Sequence, residues 1–69
     1  MIKSKLKVVL ADREMTQKEL SEITGIRPPT ISAMCNDLSR HIPVDAMDKI
    51  CDVLHCQPGD IWKHIKNDD

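Results

Sequence analysis

The chain has 69 residues, 41% of them apolar and 30% charged, with one aromatic side chain, Trp62. That suffices for one small domain, which buries only ~60% of the surface its unfolded chain exposes, and leaves no room for a deep catalytic cleft, a cofactor domain or a separate sensor domain. A net charge of −1 excludes a strongly basic, non-specific nucleic-acid coater, and no apolar run approaches the ~20 residues of a membrane span.

The charge is unevenly placed. Residues 1–40 hold seven Lys/Arg against five Asp/Glu, and residues 41–69 hold three against six. A polyanion would therefore meet the N-terminal half. Lys3, Lys5 and Lys7 interrupt the opening stretch, which does not read as a signal peptide. Three cysteines, Cys35, Cys51 and Cys56, make an odd and irregular set, unlike a secreted disulfide scaffold. They fit a reduced, cytosolic compartment and buried free thiols. With no CxxC pair, neither a metal site nor a cofactor is expected.

The pattern is helical throughout, with no strand signal, and predicts an all-α domain of five helices over residues 1–66 with a short tail, 67–69. The first helix covers about residues 2–13, with Leu6, Val9, Leu10 and Arg13 at helical spacing. Thr16 and Glu19 form a capping box, flanked by the staple pair Met15 and Leu20. The helix they open turns Leu20 and Ile23 inward and ends near Thr24, where Gly25 supplies a left-handed stop. Pro28 and Pro29 fit the first turn of a third helix, residues 28–36, with Ile31, Met34 and Leu38 at spacings of three and four. After a loop over residues 37–42, Pro43 opens a fourth helix with the stripe Met47, Ile50, Cys51 and Leu54. Asp45 and Asp48 lie near its positive end. A final short helix is expected over residues 58–65.

Two short helices joined by a tight turn at Gly25 and Ile26 have the helix-turn-helix arrangement, whose second helix enters the DNA major groove. Ile26 fits as the plug between them, and Leu20, Ile23, Ile31 and Met34 as the residues that fix their angle. Projected at ~100° per residue, Pro29, Ala33 and Asn36 fall opposite the core side of the third helix, flanked by Thr30, Ser32 and Asp37. The outward face is small and polar.

The runs Thr16-Gln17-Lys18-Glu19-Leu20, Gly25-Ile26 and Thr30-Ile31-Ser32 resemble the lambda-repressor-like family of phage repressors, Cro proteins and XRE-type bacterial regulators. Residues 49–54 and 56–61 resemble its fourth and fifth helices, in the form of small stand-alone bacterial regulators. The resemblance spans about residues 2–65. It implies a phosphate contact for Gln17, base-edge contacts for Pro28, Pro29, Ser32 and Ala33, and backbone contacts for Asn36 and Arg40. Lys18, Arg27 and Thr30 complete the candidate DNA-binding set. Arg27 stands where the family commonly has a capping Ser or Thr. Pro28 and Pro29 replace polar residues that pair with bases, and neither Pro nor Ala donates a side-chain hydrogen bond. Direct readout would rest on Ser32, on apolar contact of Ala33 or Pro29 with a thymine methyl, and on Arg27. DNA shape and dimerisation would supply much of the specificity.

The resemblance further implies pairing through the fifth-helix region, making Ile61, Trp62 and Ile65 the candidate dimer interface; Trp62 fits equally as a cap on the core. The leading reading is a homodimeric, sequence-specific transcriptional regulator, a repressor of a pseudo-palindromic operator in double-stranded DNA. The second is an antitoxin-like or adaptor module whose partner is another protein. An enzyme is disfavoured, because no nucleophile–base pair, phosphate loop or HExxH motif is present.

Overall fold

The computed structural model describes residues 1–66; the expected 67–69 tail lies outside the described residues. The order is β1 (Ile2–Ser4), α1 (Leu6–Asp12), α2 (Gln17–Thr24), α3 (Pro28–Cys35), α4 (Val44–Leu54), α5 (Pro58–Ile61) and β2 (Trp62–His64). The domain is mostly helical with five helices, as expected, but it is not strictly all-α. β1 and β2 form a two-stranded antiparallel ribbon that pairs Ile2 with His64, Lys3 with Lys63 and Ser4 with Trp62.

The ribbon replaces both expected helix extensions. The first helix begins at Leu6 and not at Ile2, because the Ser4 hydroxyl accepts the Leu6 amide at 3.2 Å and Ser4 marks the change from strand to helix. The last helix stops at Ile61 and not Ile65. Its carbonyl accepts the Lys5 amide, and Met1 and Ile65 exchange backbone hydrogen bonds at 2.8 and 2.9 Å. Each strand finds its ladder partner only in the other, across nearly the whole chain, so helical periodicity within either end could not reveal it.

Leu6, Leu20, Ile31, Ile50 and Ile61 are completely buried, with Leu10, Met34 and Leu54 nearly so. Val9, Ile26, Cys51, Cys56 and Trp62 pack half-buried around them. Trp62 shares the inner ribbon face with Ser4, its cross-strand partner. Two expected core residues are on the surface: Ile23 is 58% exposed and Leu38 is 73% exposed. The buried stripe of α2 is Leu20, Ser21 and Thr24, which rotates Ile23 outward. Leu38 lies beyond the end of α3, where Asp37 (φ 57°) has already turned the chain. The Nε of Arg13 donates to the Leu54 carbonyl at 2.9 Å, joining the end of α1 to the end of α4. A cation at a helix C-terminus is favoured by the helix dipole.

Candidate nucleic-acid interface

α2 starts as its sequence dictates. Thr16 is extended, its hydroxyl accepts the Glu19 amide at 3.0 Å, and the Glu19 carboxylate accepts the Thr16 amide at 3.3 Å. Gln17 and Lys18 follow as the first two helical residues, Gln17 half-buried and Lys18 exposed. α2 ends at Gly25, which is left-handed (φ 77°) and sends its amide to the Ser21 carbonyl at 2.9 Å. A side chain at this φ would be strained.

Residues 25–27 are the whole connection between α2 and α3. Two polar side chains buried in the core, Ser21 and Thr24, are both spent on it. Ser21 Oγ donates to the Ile26 carbonyl at 2.6 Å, and Thr24 Oγ1 accepts the Ile26 amide at 3.2 Å while donating to the Leu20 carbonyl at 2.7 Å. Ile26 is half-buried against the core, as a plug between the helices requires. Sequence reasoning passed over Ser21 and Thr24. The signal was present, since both fall on the Leu20 face of α2, but a hydroxyl there reads as a helix surface position.

α3 opens at Arg27, extended (φ −63°, ψ 140°) and without a side-chain cap, with Pro28 and Pro29 in the first turn. The absence of a capping hydroxyl is tolerated because the prolines remove amides that would otherwise need partners. Ile31, Met34 and Cys35 are buried. Arg27, Pro28, Pro29, Thr30 and Asn36 are exposed, and Ser32 and Ala33 are half-buried. The structure thus brings all the expected α3 residues onto the side away from the core. Asn36 folds back along the helix, its Nδ2 donating to the Ser32 carbonyl at 2.8 Å and to Ser32 Oγ at 3.3 Å. Among the described residues the Ser32 hydroxyl proton and the Asn36 amide oxygen have no other partner.

α3 closes with Asp37 in the left-handed region, and the Leu38 amide returns to the Ala33 carbonyl at 2.9 Å. Asp37 Oδ1 also accepts the Ser4 amide at 2.7 Å, which ties the ribbon to the end of α3. Arg40 is exposed in the following segment. Among the described residues the only ion pair is Arg13–Asp12, so Lys18, Arg27 and Arg40 carry no carboxylate partner there. The acidic side chains Asp45, Asp48 and Asp52 are exposed on α4, and their spacing of three and four puts them on one face of that helix.

The expected dimer residues divide. Ile61 is completely buried in the core and has no surface to offer. Trp62 is half-buried on the ribbon, and Ile65 is 43% exposed. Among the described residues no helix is long and apolar enough to cross a membrane.

A family model described as the Cro/C1-type HTH DNA-binding domain matches residues 5–67. The chain belongs to this family. It is 39% identical over 62 residues to the uncharacterized HTH-type transcriptional regulator YozG of Bacillus subtilis, covering 90% of this chain and 74% of YozG. Its structure is similar to a crystal structure of the transcriptional regulator VanUg, with a TM-score of 0.77 and 25% identity, over 96% of this chain and 87% of that one. The resemblance read from the sequence is thereby confirmed, and with it a helix-turn-helix, DNA-binding, transcription-regulating class.

Proposed function

We propose that α2, the turn over residues 25–27 and α3 are the helix-turn-helix, and that α3 enters the major groove of double-stranded DNA as the recognition helix. The observation that carries this reading is the outward face of α3. Pro29, Thr30, Ser32 and Ala33 are small enough to let the helix backbone approach base edges, while exposed Arg27 and Arg40, without a carboxylate partner among the described residues, stand at its two ends. Gln17 and Lys18 begin α2, where an anion meets free amides and the positive end of the helix dipole. Arg27, Lys18 and Arg40 hold phosphates, and Gln17 and Asn36 position the helix on the backbone. Pro28 lines the approach.

On this reading the protein is a cytoplasmic repressor that occupies a pseudo-palindromic operator as a homodimer, with half-sites about one turn, ~34 Å, apart. No catalytic chemistry is required. Support for pairing comes from the ribbon, where Trp62 and Ile65 keep surface and Ile2 is 59% exposed. Because Pro28, Pro29 and Ala33 donate nothing, few paired base contacts are available at ~1–3 kcal/mol each. DNA shape and the two-fold arrangement then carry much of the specificity.

The test is selection of the purified protein against a random duplex pool at ~150 mM salt, where purely electrostatic binding is weakened. The expected result is an enriched two-fold motif with half-sites about one turn apart. Weak binding with no enriched sequence would overturn the reading in favour of a protein-interaction module.

A further inference from the structure

A groove of about 520 Å³ runs beside α4 and the turn into α5, and its walls include Met47, Asp48, Cys51, Asp52, His55 and Cys56. None of these residues belongs to the DNA-facing set. Met47 and Cys51 are four residues apart and so lie one turn from each other on the same face of α4. Cys56 is brought to them by the way α4 ends. His55 is left-handed (φ 53°), and the Cys56 amide returns to the Cys51 carbonyl at 3.1 Å. That six-to-one bond is the Schellman closure, in which the residues at its two ends bring their side chains together, usually as a hydrophobic pair. Here the pair is two free thiols, both half-buried. Three sulfur side chains therefore share one groove.

The charge of the groove suits a cation, because the carboxylates of Asp48 and Asp52 stand in its walls beside the two thiols. Among the described residues no group of three or more His, Cys, Asp or Glu could hold a metal ion, so the closed four-ligand set of structural zinc is not met. Two thiolates with a thioether are the donor set of a soft ion that accepts few ligands.

We propose that Cys51 and Cys56, with Met47 as the third sulfur, form a binding site for a soft monovalent cation of the cuprous type. Binding exchanges the two thiol protons, released to solvent, for two S–Cu(I) bonds. No electron moves. The expectation of no metal site rests on the missing CxxC pair; the closure that brings Cys56 to Cys51 is a property of the chain's path.

The test is anaerobic titration of the reduced chain with Cu(I), buffered by a chromogenic chelator. One ion per chain is expected, with a thiolate-to-copper absorption band. Cys51→Ser and Cys56→Ser should each weaken binding by more than the ~10–100-fold that loss of an outer-shell partner costs, and Cys35→Ser should leave it unchanged. Met47→Leu should also weaken it, and an unchanged affinity would overturn the three-sulfur site. On the wild-type chain, Cu(I) should slow alkylation of the half-buried Cys51 and Cys56 relative to the metal-free chain, read by mass spectrometry, while Cys35 is buried and reacts slowly in both. That readout stands even if a serine variant fails to fold. No binding, alkylation of Cys51 and Cys56 unchanged by Cu(I), or one ion shared by two chains would overturn the proposal. None of these measurements involves DNA, so the outcome is independent of the major-groove reading.

Discussion

The hydroxyl of Ser21 donates to the carbonyl of Ile26 at 2.6 Å, fastening the body of α2 to the residue that precedes the opening of α3. Ser21 is 8% exposed, so water replaces this bond poorly. Ser21→Ala should destabilise the domain by about 1–3 kcal/mol, the cost of leaving a shielded carbonyl without its donor. Urea unfolding reads this directly. A loss within about 0.5 kcal/mol, the range of ordinary surface substitutions, would show that the bond does not hold the turn.

The capping box at Thr16 makes a separate prediction. Thr16→Ala removes the acceptor for the Glu19 amide and should cost about 1 kcal/mol. For a domain of this size that lowers Tm by about 4–8 °C. Thr16→Ser keeps the acceptor and should recover most of the loss, whereas equal losses in both variants would point to the methyl group's packing.

These two relationships differ in how readable they were. Thr16 and Glu19 are local, three residues apart, and their bond follows from helix geometry alone. Gly25 is equally local, and its left-handed φ was anticipated. Ser21 and Thr24 were missed because their use depends on where Ile26 goes after the turn, which periodicity within α2 does not encode. The ribbon was missed for a stronger version of that reason. Ser4 and Trp62 are strand partners across nearly the full chain length, and short apolar runs at the termini do not distinguish a frayed helix from a strand. Ile23 and Leu38 were placed inward on spacing alone. The rotation of α2 that buries Thr24 and the exit of the chain at Asp37 exposed them. The outward face of α3 was legible, because Ile31 fixes the helix's rotation and eight residues leave little drift.

Charge at the interface can be tested through salt. With the selected duplex, Arg27→Ala and Arg40→Ala should each weaken binding across related sequences alike and reduce the slope of log affinity against log salt by about 1. Lys49→Ala, exposed on α4 among the carboxylates, should leave the slope unchanged. Anisotropy titrations at several salt concentrations supply the comparison. An effect confined to single base positions would make either arginine a base reader.

The buried thiol of Cys35 predicts an alkaline loss of stability. Burial pushes its pKa above the ordinary 9.0, and Lys7 draws it partly back. The unfolded chain therefore releases this proton at lower pH than the folded one. The thiol's contribution is fully present below the unfolded pKa and is lost as pH rises through 9.0 toward the folded value. Cys51 shifts in the same direction. Urea midpoints should fall across this window, and less steeply in Cys35→Ala than in the wild type. A slope unaffected by that substitution would assign the loss to other groups.

The proposed presentation of the outward face of α3 to DNA is read by amide chemical shifts, followed as the selected duplex is titrated into labelled protein. The largest changes are expected at Gln17, Lys18, Arg27, Thr30, Ser32, Ala33, Asn36 and Arg40, with the acidic face of α4 at Asp45, Asp48 and Asp52 little affected. Changes centred on α4 or on the ribbon at Trp62, with α3 silent, would contradict it.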